Sequence, residues 1–303
     1  MLRMARPALS ARRAIDVLNL LAAHPGEDFT LSELVEQLGV NIASMHAVLA
    51  VLTRDGYVHR DTRRRTYRLG FSPVALGQAA LDQHPVMALA RRECAELAAS
   101  LGLECLASVN IADTLLIVAD AGRPEWLHMR PRTGQRLPFM PPLGILGAAY
   151  LEPDDLDAWL SRIGPGATAA DRAAFRDAAV RARAAGRQIE LETPTRQKIG
   201  MLMPELAQAT GTNAAVYGRL RKLISALGRE EHTLHDPQPG RSYAVNNIQA
   251  PIFGPRGELV CGLVLLGFGE PLSAERLTEL ADTLTAATER ITRTCGGRAP
   301  ISL

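Results

Sequence analysis

The stretch TLSELVEQLGVNIASMHAVLAVLTRDGYVHRDTRRRTYRL, residues 30–69, contains the signals that decide the fold of the N-terminal part of the chain. The run Thr30-Leu31-Ser32-Glu33 has the form of a capping box, in which a threonine hydroxyl and a glutamate carboxylate satisfy free amides at the start of a helix. Gly39 suits the left-handed turn that ends this helix. A further helix follows from about Asn41, and Asp55-Gly56 ends it.

Both helices have apolar stripes at helical spacing, and a β-hairpin follows them. The stripes consist of Leu31, Leu34, Val35 and Leu38 in the first helix and Met45, Val48, Leu49 and Leu52 in the second. Tyr57–Arg60 and Thr66–Leu69 are two short predicted strands, joined by residues 61–65. Upstream, Ser10 is a candidate cap for a helix that runs to about His24. The predicted order is therefore helix, helix, tight turn, helix and hairpin.

Basic residues are concentrated in the same part of the chain. Residues 1–82 contain 10 arginines and 8 acidic residues, whereas the rest of the chain contains 24 basic and 24 acidic residues. Six arginines and two aspartates lie between Arg54 and Arg68. So dense a patch indicates a polyanionic partner, although an ordinary solvated hairpin tip would carry arginines as well.

This order of elements is typical of a winged helix-turn-helix, which binds double-stranded DNA. Its third helix lies in the major groove, and the arginine-rich tip would follow the phosphate backbone or enter the minor groove. Polar residues off the apolar stripe of the third helix are candidates for groove contacts, although Asn41 is equally suited to capping that helix. The candidate DNA-binding residues are Asn41, Ser44, His46, Arg60, Arg63, Arg64 and Arg65.

The stretch Arg13–Leu69 resembles the IclR family of bacterial transcriptional regulators. The matching segments are RAIDVL at 13–18, LSEL at 31–34, SMH at 44–46, DGYV at 55–58 and YRLG at 67–70. The resemblance implies a winged-helix reader, a linker helix and a GAF-like effector domain, assembled on operator DNA as a homodimer or a dimer of dimers. The family often has a basic residue at Ile42 and an arginine at Ala47, so this recognition helix is poor in base-reading side chains.

The remaining sequence predicts a linker helix and an α+β domain. Ser72-Pro73 would open the linker helix over Phe71–Asp82, with the serine as its cap. A helix from Pro85 to about Leu101 and a closing helix over Ala274–Thr294 flank two antiparallel hairpins. The predicted hairpin strands are Glu104–Asn110, Thr114–Asp120, Ile248–Phe253 and Glu258–Leu266. The expected domains are residues 1–70 for the winged helix-turn-helix, 71–83 for the linker helix and 84–303 for the effector domain.

Three segments of the large domain resemble the effector pocket of the family, namely Gly134–Pro138, Glu230–His232 and Gln249–Ile252, whereas residues 192–228 cannot be matched. Small-acid sensors of the family have small and hydroxyl-bearing side chains in this pocket, but the corresponding segments here are nearly apolar. The candidate effector-binding residues are Leu137, Met140, Leu143, Gly144, Glu231, His232, Asn247, Val264 and Leu266.

An apolar wall cannot satisfy a small buried carboxylate. We therefore expect a larger and mostly apolar or aromatic effector, an acid or a thioester included, rather than one the size of pyruvate. Asn247, together with Glu231 or His232, would anchor its polar group. Val264 and Leu266 could equally be ordinary core residues, and Asn247 could cap a turn.

The sequence shows no pattern for catalysis, a metal site or a membrane span. It contains no nucleophile motif, phosphate-binding loop or metal-ligand spacing, and Arg123, Glu125 and His128 are typical of a solvated turn. The four cysteines are far apart, which fits a reducing cytoplasm, and there is neither a secretory signal nor an apolar run of membrane length. We expect a cytoplasmic non-enzyme without a cofactor. A signalling enzyme with a GAF-like domain and a ligand-independent DNA-binding protein are the alternatives.

Overall fold

The computed structural model describes residues 8–24, 26–122, 131–164, 166–208 and 214–300. These residues form two compact units, which divide between Gln83 and His84. The weak catalytic candidates Arg123, Glu125 and His128 lie outside the described residues.

The N-terminal unit is a winged helix-turn-helix followed by one further helix, which confirms the predicted fold. In chain order its elements are α1 (Leu9–Ala23), β1 (Phe29–Thr30), α2 (Leu31–Leu38), α3 (Ile42–Arg54), β2 (Val58–Asp61), β3 (Thr66–Leu69) and α4 (Ser72–Gln83). The three strands form an antiparallel sheet in the order β1-β3-β2. Its core contains Val17 and Leu20 of α1, Leu34 of α2, and Met45 and Leu49 of α3.

Local capping signals explain where α2 begins and ends. At the start of α2, the Thr30 hydroxyl accepts a hydrogen bond from the Glu33 amide at 3.3 Å, and the Glu33 carboxylate accepts one from the Thr30 amide at 2.7 Å. Gly39 ends α2 with a left-handed φ of 60°. The prediction for Ser10 was wrong, because α1 already begins at Leu9 and its cap position is Ala8, whose side chain forms no capping bond.

Ser72 was also wrongly predicted as a helix cap. It is the first residue of α4, and its hydroxyl donates to the carbonyl oxygen of Asp55 at 2.8 Å. The Ser72 amide donates to Gly56, and the Gly70 amide donates to Tyr57. These three bonds hold the end of the wing and the start of α4 against the turn that follows α3.

Gly70 has no room for a side chain at this junction. A Cβ atom there would lie 2.1 Å from the Gly56 carbonyl oxygen, which is backbone and cannot move aside cheaply. We expect Gly70→Ala to destabilise the N-terminal unit by on the order of 2 kcal/mol, measured by faster amide hydrogen exchange in β2 and β3. Gly77→Ala is the control, because Gly77 lies within α4 with no atom near its Cβ position. Equal exchange in the two variants would contradict this account of the junction.

The C-terminal unit combines a large antiparallel sheet, which has helices on both of its faces, with a second sheet of two strands. This confirms the predicted α+β class. Its helices are α5 (Pro85–Leu101), α6 (Ile145–Ala148), α7 (Pro153–Ser161), α8 (Ala169–Ala185), α9 (Pro194–Gln208), α10 (Ala214–Leu227) and α11 (Ala274–Thr294). Its strands are β4 (Glu104–Ile111), β5 (Thr114–Ala121), β6 (Arg136–Pro138), β7 (Gln188–Leu191), β8 (Thr233–Leu234), β9 (Ser242–Tyr243), β10 (Val245–Phe253), β11 (Leu259–Leu266) and β12 (Leu272–Ser273).

The large sheet has seven strands in the order β6-β5-β4-β11-β10-β7-β8. One face packs against α5 and α11 in a core that includes Leu97, Leu263, Leu265, Leu280 and Leu284. A second core joins α6 to α10 around Trp159, Phe175, Leu220 and Ile224. The unmatched residues 192–228 form most of α9 and α10, so they belong to this second layer.

Candidate DNA-binding surface and ligand cavity

The tip of the wing is a tight turn that is organised by one carboxylate. Asp61 accepts hydrogen bonds from the backbone amides of Arg63 at 2.8 Å and of Arg64 at 3.0 Å. These bonds lower the pKa of Asp61 below its usual value because they stabilise the charged form. Arg65 adopts a positive φ of 56°, which turns the chain back into β3. The turn thus points three consecutive arginines away from the sheet.

The arginines of the wing are exposed. Among the described residues, Arg60, Arg63, Arg64 and Arg65 form no ion pair, although the Arg60 guanidinium lies 5.7 Å from the centre of the Tyr67 ring. Arg54, in contrast, pairs with Asp55 at 2.7 Å. The charges at the tip are therefore available to an external anion.

The candidate DNA-binding residues at the start of α3 differ in exposure and in hydrogen bonding. The Asn41 side chain accepts a hydrogen bond from the Ser44 amide at 2.9 Å, which confirms the capping alternative. Ser44 is half-buried, whereas His46 is exposed. Apart from Arg54 at its C-terminal end, the rest of the exposed surface of α3 is small or apolar, with Ile42, Ala43, Ala47, Ala50 and Val51. His46 is thus the most accessible polar candidate on this helix.

The C-terminal unit contains a cavity of about 910 Å³ on the face of the sheet opposite α5 and α11, a volume within the usual range for small-molecule sites. Strands β4, β5, β7, β10 and β11 and helix α9 contribute its walls. Six of the nine candidate effector residues line it, namely Leu137, Leu143, Gly144, Asn247, Val264 and Leu266.

Val264 and Leu266 line the cavity and are not part of the packed core. Both are half-buried, whereas their neighbours Leu263 and Leu265 are fully buried against the helices on the other face. This difference follows from the alternation of side chains along a strand. The cavity wall on β11 is therefore apolar, as the sequence predicted.

Three candidates for the effector site lie elsewhere. Met140 is buried in the core between α6 and α10. His232 is buried beside Phe175, with 5.5 Å between the ring centres, and burial lowers its pKa. Glu231 is exposed. None of the three lines the cavity, so the structure does not bring them together with the other six.

One end of the cavity is polar, and sequence reasoning missed most of it. Glu190 of β7 and Arg196 of α9 form a buried ion pair with 2.5 Å between Oε2 and Nη2. Asn247 of β10 donates to the same carboxylate at 2.7 Å, and Gln188 donates to it at 2.9 Å. Gln249 in turn donates to Asn247 at 2.8 Å. Asn247 is therefore part of a polar network and does not cap a turn.

The cavity therefore has both apolar and polar lining residues. Its apolar lining includes Leu106, Leu115, Ile117, Leu137, Val264 and Leu266. Its polar lining is centred on the Glu190–Arg196 ion pair, and Ser108 and Asn110 of β4 add further polar side chains. Such an arrangement suits a molecule with an apolar body and one polar group. Across the described residues, no cluster of three His, Cys, Asp or Glu side chains could hold a metal ion.

The buried ion pair gives a direct test of this geometry. Arg196→Met would leave Glu190 buried with no cation, and we expect a loss of about 3 kcal/mol in the free energy of unfolding. Arg219→Met is the matched control, because the Arg219–Glu205 pair is about half exposed and should contribute less than about 1 kcal/mol. Chemical denaturation measures both. Similar losses in the two variants would show that the Glu190–Arg196 contact is not the buried pair described here.

The N-terminal unit has the fold of a DNA-binding winged helix-turn-helix, and the C-terminal unit is an α+β domain that contains a cavity. Residues 10–62 match the IclR helix-turn-helix domain. The resemblance seen in the sequence is therefore confirmed over these N-terminal residues. Within the described part of the chain, no single helix is long and apolar enough to cross a membrane, although α2 and α3, bent by 115°, would suffice together by length and composition alone.

Similarity to individual proteins covers different shares of the chain. The glycerol operon regulatory proteins of Streptomyces coelicolor and Streptomyces griseus are each 34% identical to it over 123 residues, which is 40% of this chain and 48% of each relative. The chain thus spans about half the length of the curated relatives it matches.

Solved structures share the fold over nearly the whole chain. An IclR transcriptional regulator from Alicyclobacillus acidocaldarius superimposes with a TM-score of 0.67, at 20% identity, covering 96% of this chain and 100% of the other. An IclR homologue from Microbacterium hydrocarbonoxydans, complexed with 4-hydroxybenzoate, has a TM-score of 0.61 at 17% identity, covering 94% and 99%.

Proposed function

We propose that the chain is a DNA-binding transcriptional regulator whose operator binding is controlled by a small, largely apolar or aromatic metabolite. The observation that supports this most directly is the row of exposed wing arginines without acidic partners, next to a helix-turn-helix of the IclR type. Phosphate contacts of this kind provide affinity that does not depend on sequence. The protein is not an enzyme in this proposal.

The two parts of the DNA-binding surface have different tasks. Arg60, Arg63, Arg64 and Arg65 contact the phosphate backbone or the minor groove, whereas His46 and Ser44 contact base edges in the major groove. Asn41 positions α3 by capping it. Because the exposed surface of α3 is mostly alanine and isoleucine, the wing supplies more of the total affinity than it would beside a basic recognition helix.

We further propose that the regulator binds as a homodimer or a dimer of dimers to a pseudo-palindromic site. Two half-sites would lie about 34 Å apart, or at a multiple of that distance. Helix α4 supports assembly because Phe71 before it and Val74 and Leu76 within it are 89%, 68% and 56% exposed, an apolar surface that a second copy would cover. An effector controls DNA binding if it binds more tightly to the dimer with one spacing of its two DNA-binding domains than to the dimer with another spacing.

The apolar part of the cavity supports an effector with a hydrocarbon or aromatic body. Burial of such a body contributes about 25 cal/mol per Å², and the walls on β4, β5 and β11 offer that surface. The complex of the Microbacterium homologue with 4-hydroxybenzoate shows an aromatic ligand bound to a protein of the same fold. Residues 71–83 act as the linker helix between the reader, residues 1–70, and the effector domain, residues 84–303.

The wing arginines are tested by a double variant. We expect Arg63→Ala with Arg64→Ala to weaken binding to operator and random DNA alike, since phosphate contacts carry no sequence information. The slope of log K against log salt should fall in magnitude by about 0.9 for each lost contact. The control is Arg256→Ala with Arg276→Ala, which removes two arginines that face Glu258 and Glu279. If the wing variant keeps the affinity and slope of the control, the hairpin does not touch DNA.

The effector cavity is tested by ligand-induced thermal stabilisation of the full chain. We expect aromatic and long-chain compounds to raise the melting temperature, and the same compounds to change the gel shift of the promoter, while pyruvate and glyoxylate do neither. Val264→Arg should abolish the stabilisation by filling the cavity, and Val180→Arg should not, because Val180 is an exposed residue of α8. Stabilisation by the small acids alone would refute the proposed ligand class.

A further inference from the structure

We propose that the polar end of the cavity selects a neutral hydrogen-bond acceptor on the effector, such as an amide, ester, thioester or ketone oxygen, and rejects a free carboxylate. This proposal rests on the effector-binding role given above and makes it more specific. It narrows the ligand from apolar compounds in general to those whose polar group carries no charge.

The charges on the cavity wall support this selection. Among the described residues that line the cavity, the charged ones are Arg196 and three glutamates, Glu190, Glu192 and Glu270. The charge of Arg196 is already compensated by Glu190 at 2.5 Å. A ligand carboxylate would therefore meet a wall with an excess of negative charge, and like charges in a poorly solvated site repel strongly.

Arg196 nevertheless has an unsatisfied hydrogen-bond donor, which indicates that a ligand binds here. Its side chain is only 6% exposed, and within the described part of the chain neither its Nε nor its Nη2 atom forms a hydrogen bond of good geometry, although Nη2 lies within ion-pair distance of Glu190. A buried donor without a partner is costly, so an incoming oxygen atom would be stabilised at this position. Arg196 lines the cavity, and because its Nε atom is itself covered, we expect a ligand oxygen to reach that donor after a small shift of the side chain.

The Glu190 carboxylate is held in place, so it cannot turn away from Arg196 when a ligand binds. One of its oxygens accepts from Asn247 at 2.7 Å, and the other accepts from Gln188 at 2.9 Å. These two amides hold the carboxylate in its orientation, so the ion pair is present before a ligand arrives. Arg196 consequently acts as a neutral donor site and not as a free cation.

The first experiment compares matched acids and amides on the wild-type full chain by isothermal titration calorimetry. The probe pairs are phenylacetate and phenylacetamide, 4-hydroxybenzoate and 4-hydroxybenzamide, and 4-phenylbutanoate and 4-phenylbutanamide. We expect each amide that binds to do so at least about tenfold more tightly than its acid, a difference of about 1.4 kcal/mol. Equal or tighter binding of the acids overturns this proposal and leaves the effector cavity standing. Binding of no compound in any pair overturns both.

The second experiment changes the ion pair itself. Glu190→Gln removes the compensating charge, so we expect it to increase the affinity for acids by at least about tenfold and to cancel or reverse the preference for amides. Glu192→Gln is the matched control, because it removes the same charge from the wall while leaving Arg196 paired. Equal gains in both variants would assign the selection to the overall charge of the wall and overturn the role of the pair.

Arg196→Lys provides a test that does not depend on the folding of the Glu190 variant. It keeps a cation beside Glu190 but removes the Nε donor. We expect the affinity for amides to fall by about tenfold while acids remain weak ligands. Unchanged amide binding in this variant would overturn the assignment of Nε as the donor.

Discussion

The seven-stranded sheet of the C-terminal unit must satisfy two environments at once, because successive side chains on a strand point to opposite faces. On β11 this rule places Leu263 and Leu265 in the core beneath α5 and α11, and Val264 and Leu266 in the cavity. On β7 it separates Ile189 in the core from Glu190 in the polar network. The existence of a cavity with one apolar and one polar end is thus a consequence of strand register across the sheet.

The N-terminal unit uses a different device, namely short-range hydrogen bonds that fix exposed elements. Asp61 holds the tip of the wing, Asn41 caps α3, and Ser72 ties the start of α4 to the turn after α3. None of these bonds is deeply buried. They orient exposed side chains that the hydrophobic core does not hold, since that core reaches the wing through Val58 of β2 and Tyr67 of β3 and not through the residues of its tip.

How far the sequence predicts this structure depends on the range of the interactions. The capping box at Thr30 and the turn at Gly39 could be predicted because their hydrogen-bonding partners lie within a few residues in the sequence. The same holds for the hairpins. The predictions of Ser10 and Ser72 as helix caps were wrong because serine also occurs inside helices. The carbonyl group that accepts the hydrogen bond of Ser72 is 17 residues away in the sequence. A local pattern cannot show which partner a hydroxyl takes.

The effector site was predictable only in part for the same physical reason. Val264 and Leu266 were predicted from the resemblance to the family, and alternation of side chains along β11 explains why both line the cavity. The predictions for Met140 and His232 failed because the direction of a buried side chain depends on the helices packed around it. The network of Glu190, Arg196 and Asn247 joins residues as many as 57 positions apart, and Arg196 lies in the segment that could not be matched to the family. The alternation Gln188-Ile189-Glu190-Leu191 was the one local signal that could have indicated a polar strand face.

The ion pair of Glu190 and Arg196 is difficult to explain by stability alone. Burying two charges is expensive, and replacing such a pair by well-packed apolar residues is often neutral or stabilising. Much of the remaining cavity wall is apolar, so apolar residues at 190 and 196 would extend it. An unpaired Nε donor beside an already compensated guanidinium adds a further penalty that the fold does not require. Departures from local packing rules tend to occur at functional sites, and this one lies where a ligand oxygen would remove the penalty.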